Sequence, residues 1–472
     1  MLTTAIMRYV STRGQAPVLT FADALLAGLA RDGGLYVPES FPQLSRETIA
    51  GFSGKPFHEV AVAVLKPFVA GTIPDDVLAE AAREAYASFG HPAVTPLVQT
   101  GPNAFVLELF HGPTLAFKDV AMQLVSRLMD YVLGQRGARA TIVCATSGDT
   151  GGAAAEAFRG RARTDMVILF PKGRVSDVQR RMMTTPGESN IHPLEIDGTF
   201  DDCQAIVKAL FNNHGFRDRV HLAGVNSINW GRIVAQVTYY FVAAAALGAP
   251  HRAMSFTVPT GNFGDIYAGY VAKRMGLPIE RLVVATNVND ILARTLETGR
   301  YEVRGVEATT SPSMDIQVSS NFERLLFEEC GRDAGAVTTM MAGLSQSGSF
   351  TVPDAALKGI RKGFDAGTTG EAEVAATIRR TLADSGYLLD PHTAVAYCVA
   401  ERVKRTASTP MVVLSTAHPA KFPDAIEAIA GVHPALPPRL GRLLTDPERM
   451  TPLPADARAV EAYIAASVGV AG

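Results

Sequence analysis

His111-Gly112-Pro113-Thr114-Leu115-Ala116-Phe117-Lys118-Asp119 begins as a turn and ends as a helix. Gly112 and Pro113 exclude a helix interior or a central strand. Apolar residues then fall at Val120, Leu124, Leu128 and Val132, a spacing close to helical, with Gly134 as the expected stop. Lys118 therefore lies in the first turn of an amphipathic helix, directly after a tight loop. That end of a helix carries partial positive charge, so a lysine there does not serve helix stability. The same field, with partial burial, favours the neutral amine, which can form a Schiff base. Read alone, the residue is a solvated surface lysine; its surroundings decide.

Outward from this stretch, the pattern is strand, glycine-rich turn, helix. A strand over 105–109 leads into the lysine loop. One over 140–145 leads into Thr146-Ser147-Gly148-Asp149-Thr150-Gly151-Gly152 and a helix over 153–158. A strand over 166–170 precedes Pro171-Lys172-Gly173-Arg174. Residues 255–258 run into Pro259-Thr260-Gly261-Asn262-Phe263-Gly264-Asp265, then a helix to Met275. Residues 282–285 precede a helix over 290–297, and 411–414 lead into Ser415-Thr416-Ala417-His418-Pro419 and a helix over 422–430. Strands alternating with helices predict a parallel, doubly wound α/β architecture. Ligands bind beyond the carboxyl ends of such strands, where all these loops lie.

Residues 1–95 read as a separate mixed module. It has a short strand from Tyr9 into a turn at Gly14, then a helix opened by a Thr20/Asp23 capping box and closed by Asp32-Gly33-Gly34. Phe21, Leu25, Leu26 and Leu29 form that helix's apolar face. A short apolar stretch follows over 35–38, then helices over 57–69 and 74–88, with Pro74 near the first position of the latter. The tail after 436 is proline-rich, then helical over 456–466, with no assigned role.

The chain has 472 residues, 47% hydrophobic and 19% charged, with a formal net charge of −2. This is an ordinary globular composition with no electrostatic case for nucleic acid or a membrane surface. The N-terminus shows no signal-peptide core. The most apolar run, 237–250, is shorter than the ~18 residues of a membrane span and reads as a buried helix. Cys144, Cys203, Cys330 and Cys398 form no CxxC pair and no metal-ligand spacing, so no metal site is expected and a reducing, cytoplasmic setting is.

Gly261-Asn262-Phe263-Gly264-Asp265 at a strand-to-helix junction offers free N–H groups to a phosphate, or is simply a tight glycine turn. Ser147-Gly148-Asp149-Thr150 has the same geometry, fit for a carboxylate, or is a capping loop with Ser147 or Asp149 as the cap. Asn226-Ser227-Ile228-Asn229-Trp230-Gly231-Arg232 concentrates amides, a hydroxyl and a guanidinium at a helix start, good material for a phosphate. Lys172 and Arg180 are further cations that read individually as surface charges. His111, His392 and His418 are candidate proton carriers, or hydrogen-bonding caps of turns.

His111–Asp119 with the following Val120-Ala121-Met122-Gln123 resembles the lysine motif of the threonine synthases, pyridoxal-phosphate (PLP) enzymes of fold type II, the tryptophan-synthase-β type. SGDTG, PTGNFGD, NSINWGRI and, in the N-terminal module, STRG and DGGLYVP resemble segments of the longer bacterial and fungal members, over most of 7–430. The resemblance implies two doubly wound parallel-sheet domains with the cofactor between them. The larger would take 96–124 and 249–435, and the smaller 125–248. It implies Lys118 as Schiff-base lysine and proton shuttle, Gly261 to Asp265 as the phosphate loop, and Thr416 at the pyridine nitrogen. Asp149 would stand where the wider fold type has an asparagine at the 3′-oxygen. Substrate contacts carried over are Ser147, Gly148, Thr150, Lys172, Ser227, Asn229 and Arg232. The implied activity converts O-phospho-L-homoserine and water to L-threonine and phosphate, by a monomer or small homo-oligomer. The rivals are a degradative phospho-lyase giving 2-oxobutyrate, a serine/threonine dehydratase, and a non-catalytic PLP-binding protein.

Overall fold

The computed structural model describes residues 6–468; positions 1–5 and 469–472, with the start of the N-terminal segment read above, lie outside them. Two parallel sheets carry the molecule. The larger runs in the order Phe364–Thr368, Ile279–Thr286, Met254–Pro259, Met411–Ser415, Ala104–Glu108, Leu97–Gly101, parallel throughout except for the last pair. The register sets Ser415 opposite Glu108, so neighbouring strands end level. The lysine loop, the Thr416 loop and the GNFGD loop therefore leave three adjacent strands at one carboxyl edge. The smaller sheet runs Thr451–Pro454, Ile191–Asp197, Thr164–Pro171, Ala140–Ala145, Leu222–Ala223, parallel throughout. Strand Thr164–Pro171 is buried at every position, as expected of a sheet covered on both faces.

The predicted strands of the two sheets are present: 140–145 as expected, 105–109 shifted to Ala104–Glu108, and the others extended by one to a few residues. The lysine helix spans Lys118–Gln135, running through Gly134. Its stop is Gly137, whose φ of 62° is the left-handed conformation glycine adopts freely. That helix crosses position 124/125, so the domain boundary expected there falls inside a continuous element. The first module helix, Phe21–Ala27, ends earlier than expected at Gly28, with φ 64°. Asp32 instead ties a turn by accepting from the N–H groups of Gln15, Ala16 and Gly34. Pro74 precedes helix Asp75–Ala87 rather than opening it.

The module is not a separate unit in packing terms. Its buried side chains join one apolar core with the helices of the larger sheet. Trp230, fully buried, meets the rings of Tyr9 and Phe68 at 6.0 and 5.9 Å. Helix Trp230–Ala246 is buried along nearly its whole length between the module helix Phe57–Val69, the lysine helix and helix Gly264–Arg274. The tail also acquires a role. Strand Thr451–Pro454 extends the smaller sheet, and helix Ala457–Ser467 sets Val460 and Ile464 against Val143, Val167 and Leu194. Its two prolines suit an edge strand, which is also why the pattern did not read as one. Among the described residues no helix is long and apolar enough to cross a membrane.

Candidate active site

Lys118 opens its helix because the loop before it is tightly tied. Asp119 accepts from the Thr114 N–H at 2.7 Å and the Thr114 hydroxyl at 2.6 Å. A Cβ on Gly112 would lie 2.3 Å from the Asp119 Cβ, so only glycine fits the turn. The Phe117 N–H donates to the Thr416 carbonyl (2.9 Å) and the His418 N–H to that of Leu115 (3.0 Å), joining two loops of the edge. The Lys118 side chain is 11% exposed, with Nζ 3.5 Å from Asp149 Oδ2. Burial lowers its amine pKa; Lys421 and Arg232 add to this and Asp149 opposes it. Desolvation and neighbouring cations thus favour the neutral amine.

Asp149 is the first residue of helix Asp149–Phe158 at the edge of the smaller sheet, one turn earlier than predicted. The loop is closed by Thr146, whose hydroxyl accepts from the N–H groups of Gly148 and Gly151 at 2.9 Å each, not by Ser147 or Asp149. The Asp149 carboxylate faces Lys421 Nζ at 2.6 Å, Gln179 Nε2 at 2.9 Å and the Ser313 hydroxyl at 3.4 Å, as well as Lys118. Burial opposes its charge, and Lys421 and then Lys118 outweigh burial, holding it ionised far below the usual carboxylate range. Gln179 reaches it from helix Asp177–Thr184, where it also completes a capping box with Ser176. The half-buried Ser147 and Thr150 side chains make no hydrogen bond to the described residues.

Helix Gly264–Arg274 starts without a side-chain cap, behind Phe263 at φ 62°, so its first N–H groups are free for an anion. A Cβ on Gly261 would lie 2.7 Å from the Ser313 carbonyl. Asp265, at this anion site, is handled by its partners: both Tyr239 and Tyr240 donate hydroxyls to Oδ1, and Oδ2 has no partner among the described residues. Burial pushes this carboxyl up to about 7, so much of it is neutral at physiological pH and does not repel a phosphate.

Arg232 is 2% exposed and faces no carboxylate partner among the described residues. Its Nη1 donates to the Val225 carbonyl at 3.2 Å, its Nε is unpartnered, and burial lowers its pKa to about 10. A buried guanidinium with an orphaned N–H calls for an anionic ligand. Ser227 lies beside it, half-buried, its carbonyl held by Asn321. Asn229 is engaged within the fold. Its amide oxygen caps helix Trp230–Ala246 by accepting from the Gly231 N–H, and its NH2 donates to the carbonyls of Leu25 and Gly224. Lys172 is exposed and outside the cluster. Arg180 is committed to Glu448 of the tail. Thr416 is 6% exposed and its hydroxyl meets no described residue.

His418 caps the turn that follows it, Nδ1 accepting from the Ala420 N–H at 3.1 Å, and burial lowers it to about 4, so it stays neutral. His111 pairs with Glu108 at 2.7 Å, and His392 Nδ1 with Asp390 at 3.0 Å. Sequence reasoning missed Lys421, Gln179 and Ser313. Lys421 stands five residues after Thr416, yet a lone lysine in a proline-rich turn carries no pattern of its own.

A buried lysine amine, with an uncapped helix start on the next strand but one, suits an aldehyde cofactor that bears a phosphate. Here the free N–H groups, the close-fitting Gly261 and the neutralised Asp265 fit that phosphate. Residues 89–416 match the family described as pyridoxal-phosphate dependent enzyme, and PLP is the cofactor. The flanking parts narrow the class. Residues 8–86 match the threonine synthase N terminus and 393–464 the threonine synthase C-terminal family. A threonine synthase of Pseudomonas aeruginosa is 53% identical over 97% of this chain and 98% of its own. The solved PLP-bound threonine synthase of Brucella melitensis has a TM-score of 0.96 at 63% identity, covering 98% of this chain and 100% of that one. For the yeast threonine synthase structure these figures are 0.92 and 41%, over 97% and 98%. The chain belongs to the threonine synthase family, PLP-dependent lyases of threonine biosynthesis.

Proposed function

We propose that the substrate is O-phospho-L-homoserine and that the chain releases L-threonine and phosphate from it with uptake of water. The observation that carries this reading is Arg232, a buried guanidinium with an unpartnered Nε and no carboxylate against it among the described residues. It suits a phosphate on the substrate, in addition to the one that the cofactor brings to 261–265. A dehydratase substrate without phosphate would leave Arg232 uncompensated.

When bound at Lys118, PLP supplies an electron sink for charge developing next to the amino-acid nitrogen. Lys118, once free, is the base at the substrate Cα and carries protons between neighbouring carbons. Burial and the neighbouring cations lower its pKa, which favours the neutral form needed for that task. The N–H groups of 261–265 hold the cofactor phosphate, with the neutral form of Asp265 as a further donor through Oδ2. Thr416 offers a hydroxyl to the pyridine nitrogen. Ser227 and Arg232 hold the substrate phosphate until it leaves. Ser147, the Gly148 N–H and Thr150 hold the substrate carboxylate. Asp149 stays ionised and orients the Lys118 amine.

We read 96–124 with 249–435 as the larger unit and 125–248 as the smaller, the latter completed by the tail strand; closure between them excludes water from the reacting carbons. A cytoplasmic setting is supported by four unpaired cysteines, three of them buried. The protein works as a monomer or small homo-oligomer. Borohydride reduction of the cofactor-loaded protein followed by peptide mass spectrometry tests the assignment. The pyridoxyl group is expected on Lys118, and its appearance on another lysine would end this reading.

A further inference from the structure

Lys421 is the buried cation that the reaction as described leaves without a task. It ends the short turn Pro419–Lys421, and its side chain is 1% exposed. Its ammonium donates to the Thr114 carbonyl in the lysine loop at 2.9 Å and reaches Asp149 Oδ1 at 2.6 Å. Its own carbonyl accepts from Ser176, the capping residue of helix Asp177–Thr184, at 3.3 Å. One residue therefore touches the lysine loop of the larger sheet and two segments of the smaller. Asp149 in turn points its second oxygen at Lys118.

We propose that Lys421 is a positioning residue of the active site, which fixes the Asp149 carboxylate against the Lys118 amine and sets a like charge against that amine. The argument is geometric first. A carboxylate buried between two lysine side chains serves both only if each takes one oxygen, and Oδ1 and Oδ2 are divided in this way. Without Lys421, Asp149 would belong to Lys118 alone, and a closely paired lysine stays protonated. The charged or titratable groups around this pair are Arg232 beside Lys118, His392 beside Asp149, Asp265, which senses Lys118, and Asp119, which senses Lys421. Arg232 acts in the same sense as Lys421 and stays in place in the variants below. The direction of the Lys118 shift, downward by burial and by Lys421 against Asp149, agrees with the geometry.

The test follows the amine itself. The full chain is stripped of cofactor, PLP is returned, and the growth of the absorbance band of the lysine-bound cofactor is timed across pH 6–10. Only the neutral amine condenses, so the pH of half-maximal rate reports its protonation. In Lys421→Met this midpoint is expected to rise by about one pH unit, giving roughly tenfold slower condensation at pH 7 and converging rates at high pH. Lys421→Arg retains the charge and is expected to keep the midpoint of the unaltered protein. Asp149→Asn and the double variant Asp149→Asn/Lys421→Met leave no carboxylate unpaired, so this comparison serves even where Lys421→Met fails to fold. Their midpoints are expected to differ by about one unit, the double variant higher. Slowing by one factor at every pH, or coincident midpoints in the second pair, would overturn the proposal and leave Lys421 a purely structural contact.

Discussion

Replacing Arg232 by methionine is expected to stabilise the ligand-free protein while weakening its response to phosphate. Burial lowers this guanidinium to about 10. At about 1.4 kcal/mol per pKa unit, keeping it charged in the fold costs roughly 3 kcal/mol relative to the unfolded chain. The sign follows from the depressed value: the cost is fully present below pH 10 and fades only above it. Methionine has a similar length and no charge. It forfeits the hydrogen bond from Nη1 to the Val225 carbonyl, worth about 1 kcal/mol. The net gain is about 2 kcal/mol, or about 2 °C in Tm for a chain of this size. Differential scanning calorimetry of cofactor-free protein in a phosphate-free buffer reads it. Added inorganic phosphate should raise the Tm of the unaltered protein by linkage, and that of Arg232→Met, which keeps the anion site at 261–265, by less. A Tm that falls in the variant, with the phosphate response intact, would refute the view that Arg232 waits unpaired for an anion.

Three further outcomes follow from the same geometry. Gly148→Ala places a Cβ 2.5 Å from the Gln179 amide at a φ of 133°, so we expect about 2 kcal/mol lost in denaturant titration and at least a ~tenfold drop in turnover as Asp149 is displaced. Asp265, raised to about 7, binds a proton more tightly in the fold than in the unfolded chain, so it drains up to about 4 kcal/mol from the ligand-free protein as pH climbs from 4 to 7. Asp265→Asn should flatten that part of the stability–pH curve, and an unchanged slope would count against a buried, protonated carboxyl. Ending the chain at residue 449 strips Val460 and Ile464 from the smaller sheet, about 4 kcal/mol of apolar burial, and should yield a dye-binding, protease-sensitive protein.

The parallel architecture was legible because its strands are short apolar runs followed by glycine turns. The three loops that meet at the larger sheet's edge all stood out as such. Among the strands that escaped, Ile191–Asp197 contains a proline and charged residues and Thr451–Pro454 two prolines, which break the apolar pattern; Leu97–Gly101, Phe364–Thr368 and the two-residue Leu222–Ala223 carry no continuous apolar run either. The tail's place in the smaller sheet is a pairing across more than 250 residues, which no local pattern encodes. Within the site, residue type singled out Lys118, Asp149, the GNFGD loop and Arg232, and the fold buries Lys118, Asp149, Arg232 and Asp265. It left Asn229 open, because an asparagine at a helix start can cap the helix or meet a ligand, and the fold sets its amide against Leu25 and Gly224. It missed Lys421 for another reason. A lysine reads as solvent-exposed until the fold brings an aspartate and a carbonyl from elsewhere in the chain against it.

The measurement closest to the central claim is the stoichiometry of products from PLP-loaded protein and O-phospho-L-homoserine. Phosphate and L-threonine in equal amounts, with both lost in Lys118→Ala, is the predicted result. Phosphate accompanied by 2-oxobutyrate in place of threonine, or turnover that survives the loss of Lys118, would contradict it.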